Sequence, residues 1–114
     1  MQSQPTSRPR LLNPQAVAER LTQPTDSLIL LDVRSPEEWT HDGRIDGATL
    51  IPIEEIEGRT GELPQDAEII VYCHSGMRSN AVANYLARLG YSNISDMAGG
   101  IEAWQYAGLP LVRG

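Results

Sequence analysis

Residues 68–79 read EIIVYCHSGMRS, and this stretch decides the fold class. Its first part, Glu68–Tyr72, is rich in apolar and β-branched residues, which is typical of a strand buried inside a sheet. After a short connecting segment, Arg78–Leu89 places apolar residues at helical spacing, which predicts an amphipathic helix. A buried strand that continues through a short loop into a helix is the repeating unit of an α/β domain.

Similar signals occur on both sides of this stretch. Further strands are predicted at Leu28–Leu31, which ends at Asp32, and around Ile94, and Ala48–Ile53 is predicted to be a strand or an extended segment interrupted by Pro52. Further helices are predicted from the N-cap Asn13 to about Leu21, from the Ser35–Glu38 capping box onward, and after Gly99-Gly100, where the helix contains Ala103, Trp104 and Ala107. Gly90 is a predicted C-cap, with Tyr91 placed for a Schellman contact. Because strands alternate with helices, we expect one α/β domain built around a mostly parallel sheet.

Length and charge restrict the functions that are open to the chain. Its 114 residues fit a single domain, for which we predict the range 13–114. Residues 1–12 are polar and contain prolines, so we predict a loose N-terminal arm there. The net charge of −6 argues against nucleic-acid binding, which needs a basic face. No apolar stretch approaches the roughly 18 residues of a membrane helix, and no apolar run follows the N-terminal arginines, so we expect a cytoplasmic protein.

The reactive side chains restrict the chemistry further. All nine basic residues are arginines, which excludes a Schiff-base lysine. One cysteine and two histidines provide no internal disulfide, no C-x-x-C pair and no zinc-ligand pattern, so we expect neither a metal nor a cofactor. Transfer chemistry at Cys73 must therefore be completed by a thiol or another nucleophile from outside the chain.

Cys73 directly follows the buried strand and precedes the amphipathic helix. Open α/β sheets bind ligands at the carboxyl ends of their strands. The N–H groups of a tight loop and the positive end of a helix both favour an anion, so we expect Cys73 to react as a thiolate nucleophile. A lone cysteine at a strand end is also often just a small buried hydrophobe. Gly76 and Arg78 favour the reactive loop, because a core cysteine needs neither residue nearby.

The segment CHSGMRS at residues 73–79 resembles the active-site loop of rhodanese-like sulfurtransferases, whose usual form is C-x-x-G-x-R-S. Three other parts of the chain resemble the same family in the family's order. They are LLDVR at 30–34 with EEW at 37–39, GRIDGA at 43–48 with Arg44 where histidine is commonest, and LGY at 89–91 followed by AGGI at 98–101, Trp104 and GLP at 108–110. The resemblance spans roughly residues 13–112. It implies an α/β fold in which helices cover both faces of a central, mostly parallel sheet of about five strands, with persulfide chemistry at Cys73.

The length of the loop bears on the choice between sulfur and phosphoryl transfer. The same fold family includes cysteine-based phosphatases, which place five residues between the cysteine and the arginine. This chain places four, at 74–77, and none of them is acidic. A shorter loop forms a tighter cradle, which suits a single terminal sulfur better than a phosphoryl group. We therefore expect sulfur transfer and no phosphatase activity.

The expected catalytic residue is Cys73, which takes sulfur from thiosulfate or a protein persulfide and passes it to cyanide or a thiol. The expected substrate-binding loop consists of His74, Ser75, Gly76, Met77, Arg78 and Ser79. Supporting hydrogen bonds near the loop are expected from Asp32 and Arg34. Arg78 is predicted either to contact an anionic donor or to pair with Asp32. Gly99-Gly100 is predicted to let the backbone approach the cleft closely.

Three functions fit these residues. The first is an enzyme of the thiosulfate:cyanide sulfurtransferase type. The second is a sulfur-relay carrier that is loaded by a cysteine desulfurase and serves tRNA thiolation or cofactor biosynthesis. The third is a non-catalytic binding or sensor module, against which the intact loop argues. The sequence is equally compatible with the first two, and it leaves the oligomeric state open.

Overall fold

Strands and helices alternate along the chain, as their sequence patterns predict. The computed structural model describes residues 8–23 and 25–113. Within these ranges the strands are β1 (Arg10–Leu12), β2 (Leu28–Asp32), β3 (Thr49–Leu50), β4 (Glu68–Tyr72) and β5 (Ile94–Met97). The α-helices are α1 (Pro14–Leu21), α2 (Pro36–His41), α3 (Ile56–Arg59), α4 (Met77–Arg88) and α5 (Gly100–Tyr106). Short 3-10 turns, Ile53–Glu55 and Thr60–Glu62, flank α3.

The strands form one sheet in the order β1-β5-β4-β2-β3, and every neighbouring pair is parallel. Side chains of α1 and α5, including Val17 and Trp104, pack with Ile70 of β4 on one face. Side chains of α3 and α4, including Leu86, pack with Val71 on the opposite face. The predicted α/β fold with helices on both faces is confirmed, and the sheet is entirely parallel. This arrangement places β4, and the loop that follows it, at the centre of the molecule.

The first strand corrects the predicted N-terminal arm. The arm was expected over residues 1–12, but Arg10–Leu12 forms the edge strand β1 and pairs in register with Ser95–Met97 of β5. The pairing continues past β5, since the Ala98 N–H donates to the Leu12 carbonyl at 2.8 Å. Three residues are too few to show the periodicity of a strand, so only a partner strand reveals this element. Residues 1–7 of the predicted arm lie outside the described residues.

The segment Ala48–Ile53, predicted as a strand or an extended segment interrupted by Pro52, contains a short strand. Only Thr49–Leu50 pairs as β3. The neighbouring Ile51 and Ile53 still donate N–H groups to the Asp32 and Val33 carbonyls, at 2.9 and 3.1 Å. Pro52 lies between them and has no N–H, so the regular ladder ends there.

The predicted helix ends are confirmed. The Asn13 side chain accepts a hydrogen bond from the Ala16 N–H at 2.8 Å and caps α1. Ser35 and Glu38 form the reciprocal capping box of α2. At the end of α4 the Tyr91 N–H bonds to the Leu86 carbonyl, which is the long hydrogen bond of a Schellman motif after Gly90. Local sequence signals therefore set where α1 and α2 begin and where α4 ends.

The described helices are all too short or too polar to cross a lipid bilayer.

Candidate active site

The candidate site is the loop at residues 73–76, which connects the carboxyl end of β4 to the amino end of α4. Because β4 is flanked by β2 and β5, the carboxyl ends of these parallel strands meet around this loop. Cys73, which follows β4, and Asp96, near the end of β5, therefore lie at the same edge of the sheet. The sheet order therefore places the Cys73 loop among the carboxyl ends of the central strands.

The Cys73 sulfur lies inside the loop and accepts hydrogen bonds from backbone N–H groups. The residue is 1% exposed. Its Sγ atom accepts from the Gly76 N–H at 3.1 Å and from the Ser79 N–H at 3.3 Å. Gly76 has a φ of +112°, a conformation that side-chain-bearing residues rarely adopt, and this conformation turns its N–H inward. Two inward N–H groups at the start of the 12-residue helix α4 suit a negatively charged sulfur.

Ser79 connects the sulfur to a buried carboxyl group. The Cys73 Sγ atom and the Ser79 hydroxyl oxygen lie 3.4 Å apart, and that hydroxyl donates to Asp96 Oδ1 at 2.6 Å. Asp96 is 3% exposed, and burial raises the pKa of its carboxyl group above the usual range. Ser79 lies in the loop as the sequence predicts, whereas Asp96 was not predicted. An acidic residue in a short strand whose ends are apolar, as in Ile94–Met97, is the signal that pointed to it.

Arg78 pairs with Glu38, which corrects one of the two predicted roles. Its Nη1 and Nη2 atoms donate to Glu38 Oε1 and Oε2, at 2.7 and 2.8 Å. Asp32, the predicted partner, pairs with Arg34 instead. The hydrogen bonds from Arg78 lower the pKa of Glu38 to about 2, and the Glu38 carboxylate in turn raises the pKa of Arg78. The two-point ion pair ties the first turn of α4 to α2.

Asp32 and Arg34 form a buried ion pair at the end of β2. Both side chains are fully buried, and Arg34 Nη2 donates to Asp32 Oδ2 at 2.8 Å and to the Gly43 carbonyl at 2.8 Å. Burial opposes the charge of Arg34, but the hydrogen bonds and charge of Asp32 outweigh it and raise its pKa. The guanidinium also lies 5.7 Å from the ring centroid of Tyr72, the residue before Cys73. The pair therefore supports the strand ends below the loop and makes no described contact with the sulfur.

The other loop side chains point outward. Met77 is 82% exposed, and His74 and Ser75 are exposed as well. His74 Nε2 lies 3.6 Å from Glu102 Oε2 on α5. A cavity of about 370 Å³ opens beside the loop and is lined in part by Ser75, Gly76 and Met77. These residues surround the opening of the cavity beside the loop.

Gly100 holds the loop from the other side. The N–H groups of Ile101 and Glu102 donate to the carbonyls of Cys73 and His74, at 2.8 and 3.0 Å. A Cβ atom on Gly100 would lie 2.6 Å from the Cys73 carbonyl oxygen and closer still to that of His74. The predicted close approach of the backbone at Gly99-Gly100 is confirmed. It fixes the carbonyls so that the loop N–H groups face the sulfur.

Candidate metal ligands do not assemble in the part of the chain that is described: no group of three or more His, Cys, Asp or Glu side chains lies close enough to hold a metal ion.

The fold and the loop together define a class of protein, an all-parallel α/β domain that presents a cysteine sulfur at the amino end of a helix. The chain belongs to the rhodanese-like domain family, which it matches over residues 13–107. A relative from Allochromatium vinosum, named a sulfurtransferase, is 36% identical over 89% of this chain and 92% of its own length. A relative from Actinobacillus succinogenes, named thiosulfate sulfurtransferase GlpE, is 36% identical over 76% of this chain and 78% of its own length.

Solved structures agree with the sequence relatives. The crystal structure of a rhodanese-related protein from Thermoplasma volcanium is similar to this chain with a TM-score of 0.81 and 35% identity. The similarity covers 90% of this chain and 97% of that one. The family resemblance that the loop motif predicted is confirmed, and the names of the relatives support a role in sulfur transfer.

Proposed function

We propose that this protein is a sulfurtransferase that carries a sulfane sulfur as a persulfide on Cys73. The proposal rests on the surroundings of the Cys73 Sγ atom. This atom accepts hydrogen bonds from the backbone N–H groups of Gly76 and Ser79, at 3.1 and 3.3 Å. A neutral core cysteine needs no such donors, whereas a thiolate or a persulfide anion is stabilised by them. The sulfurtransferase names of the relatives support the same chemistry.

The reaction is a double displacement. The Cys73 thiolate attacks the outer sulfur of thiosulfate, a Cys73 S–S bond forms, the S–S bond of thiosulfate breaks, and sulfite leaves. The outer sulfur then carries the negative charge of the persulfide. Cyanide or a thiolate attacks that sulfur, the S–S bond to Cys73 breaks, and thiocyanate or a new persulfide leaves while the Cys73 thiolate is regenerated. The loop N–H groups stabilise the anionic sulfur before and after the transfer.

The rest of the loop supports these steps. Arg78 holds the first turn of α4 in place through Glu38 and adds positive charge near the sulfur. The exposed rim formed by His74, Ser75 and Met77 is where we place the donor and acceptor. Asp32 and Arg34 keep the underlying strand ends rigid. The chemistry requires a reduced thiol, which is the state maintained in the cytoplasm, and we infer that location.

A relay carrier is the second candidate function, and the cysteine count is compatible with it. Cys73 is the only thiol in the 114 residues, so a persulfide on it cannot discharge into an internal disulfide. It persists until an external acceptor arrives, which is the property that a carrier needs. The acceptor is then a cysteine of a partner protein, and the loading donor is a cysteine desulfurase.

The mass of the intact protein tests both candidates. After incubation with thiosulfate the wild type should gain one sulfur atom, which a reducing thiol removes. The matched variants Cys73→Ala and Cys73→Ser should gain none, because neither side chain forms a persulfide, and both should keep the fold. An enzyme for thiosulfate loads quickly from that anion, whereas a relay carrier loads poorly from it and well from a desulfurase supplied with cysteine.

Two outcomes would contradict the proposal. If neither donor adds sulfur to the wild type, the binding-module function takes its place. If the wild type hydrolyses an aryl phosphate faster than it transfers sulfur, the argument from the four-residue loop is wrong.

A further inference from the structure

A chain of buried hydrogen bonds leads away from the reactive sulfur. Cys73, Ser79 and Asp96 are 1%, 0% and 3% exposed. The Cys73 thiol donates to the Ser79 hydroxyl oxygen across 3.4 Å, and that hydroxyl donates to Asp96 Oδ1 across 2.6 Å. The three groups lie on different elements, since Asp96 belongs to β5 and Ser79 to α4. The packing of α4 on the sheet therefore builds this chain.

Asp96 has no cationic partner in the described ranges. None of the ion pairs found there includes it, and its second oxygen accepts only a long hydrogen bond, 3.5 Å, from the Asn80 amide. Arg8, Arg10 and Arg88 line the same cavity of about 420 Å³ as Asp96 but form no ion pair with it. Burial raises the pKa of the Asp96 carboxyl group. A buried carboxylate without a cation is disposed to take up a proton.

The single hydroxyl hydrogen of Ser79 couples the ionisation of Cys73 to that of Asp96. The Ser79 hydroxyl carries one hydrogen, which can be donated to Asp96, to the sulfur, or to the Gly76 carbonyl, 3.3 Å away, but to only one of the two anions at a time. When Cys73 is a thiol, it donates to Ser79 and Ser79 donates to the Asp96 carboxylate. If Cys73 and Asp96 were both ionised, one of the two anions would lose the serine hydrogen bond, and two like charges would be buried close together.

We propose that Asp96 takes up the thiol proton of Cys73 through the Ser79 hydroxyl, so that the thiolate forms without a second buried negative charge. The Cys73 S–H bond breaks as an O–H bond forms at Ser79, and the original Ser79 O–H bond breaks as an O–H bond forms at Asp96 Oδ1. The hydrogen-bonded chain reverses, because Asp96 now donates to Ser79 and Ser79 donates to the thiolate. Asp96 is thus a positioning residue that acts through Ser79, and this inference rests on the proposed role of Cys73 as the nucleophile.

The cavities give the proton a route to solvent. Asp96 borders both the cavity beside Gly76 and Met77 and the larger cavity on the side of Arg10 and Arg88. Cys73, by contrast, is not among the residues that line either cavity. Asp96 can therefore exchange its proton with water while the sulfur stays enclosed.

The shared proton predicts a specific shape for the reactivity of Cys73 against pH. Cys73 and Asp96 lose their two protons in two separate steps. Between these steps the pair carries one negative charge, and the fraction of that charge on the sulfur does not change with pH. The alkylation rate should therefore show a pH-independent shoulder, followed by a second rise. Arg8, Arg10 and Arg88 are the charged groups that line the larger cavity together with Asp96. His74 is the other titratable group of the loop, and it faces Glu102.

Alkylation of the intact protein by iodoacetamide, measured across pH, tests the proposal. The wild type should show the shoulder. Asp96→Asn keeps the shape of the side chain but holds no proton, so its rate should rise continuously by about tenfold per pH unit through the same interval. Ser79→Ala should lower the shoulder by about tenfold or more, because the thiolate loses its hydroxyl donor, a charge-assisted bond. Ser79→Thr should restore it.

Two variants serve as controls. Gln105→Ala changes an exposed residue of α5 that lines neither cavity, and it should leave the profile unchanged. His74→Gln should keep the shoulder, whatever its effect on the rate, since the second titrating group is Asp96.

The outcomes separate this inference from the proposed function. A wild-type rate that rises without a shoulder, or a shoulder that survives Asp96→Asn, overturns the proton-sharing role even if Cys73 loads sulfur from thiosulfate. A shoulder in a protein that loads no sulfur from either donor supports the shared proton and refutes the sulfurtransferase function. If the circular dichroism spectrum shows that Asp96→Asn does not fold, this variant is left out. The wild-type profile and the two Ser79 variants then decide the question.

Discussion

At the scale of single residues, Gly100 is the position that tolerates the least change. Its φ is +64°, and its α-carbon faces the carbonyls of Cys73 and His74 with no room for a side chain. The two N–H groups that follow it hold those carbonyls. The shape of the loop around the sulfur thus depends on Gly100, which lies 27 positions after Cys73 in the sequence (100 − 73 = 27).

Gly100→Ala should lower the free energy of unfolding by at least about 3 kcal/mol, because the left-handed backbone costs about 1–2 kcal/mol and the clash with backbone carbonyls adds to it. It should also abolish most sulfur loading of Cys73, since the loop must move. Chemical denaturation and intact-protein mass measure the two effects. The control is Gly108→Ala, where φ is +79° and no atom lies within 4 Å of the added Cβ. Gly108→Ala should lower the free energy of unfolding by about 1 kcal/mol and should leave the sulfur loading of Cys73 unchanged. Equal losses of stability in the two variants would contradict the close approach of the backbone at Gly100.

At the scale of elements, one ion pair joins two helices that approach the loop from different sides. The Oε1 atom of Glu38 accepts two hydrogen bonds. One comes from the Ser35 N–H at 2.9 Å, in the capping box, and the other from Arg78 Nη1 at 2.7 Å. The first contact stabilises the start of α2, and the second fixes the start of α4. The sequence predicted the capping box from a spacing of three residues. It did not predict the ion pair, because Arg78 lies 40 residues away and no local pattern connects the two.

Glu38→Gln should lower stability at neutral pH by about 1–2 kcal/mol, a value reduced for the partial exposure of both side chains. Glutamine still fits the capping box, so the change isolates the charge. The pKa of Glu38 falls from 4.5 to about 2 on folding, so the stabilisation is complete above pH 4.5 and is lost as pH falls toward 2. Urea unfolding of both proteins across this range should show the difference shrinking to near zero. The control Glu57→Gln, on the exposed side of α3, should show no such trend.

At the scale of the whole molecule, the sheet is completed by its first strand. β1 covers the edge of β5, the strand that carries Asp96, and Leu11 is in register with Asp96. Leu12 packs against the core on the α1 and α5 face. The strand therefore protects the same strand that supports the candidate site.

A pair of truncations isolates the contribution of β1. Removal of residues 1–12 should lower the free energy of unfolding by about 1–3 kcal/mol more than removal of residues 1–9, because the longer deletion also removes the edge pairing and the burial of Leu12. Thermal and urea unfolding measure the difference. If the two truncated proteins are equally stable, β1 contributes nothing and the predicted loose arm over residues 1–12 describes the protein in solution.

The sequence by itself determined the features that depend on neighbours a few residues apart. Strand and helix periodicity, the Asn13 and Ser35 caps, the Schellman ending at Gly90 and the spacing from Cys73 to Arg78 are all local, and the structure follows each of them. Only the tertiary structure decided which distant side chains meet. Glu38 with Arg78, Ser79 with Asp96, and β1 with β5 are contacts between separate elements. They depend on strand order and on how α4 packs against the sheet, and no short-range pattern encodes either.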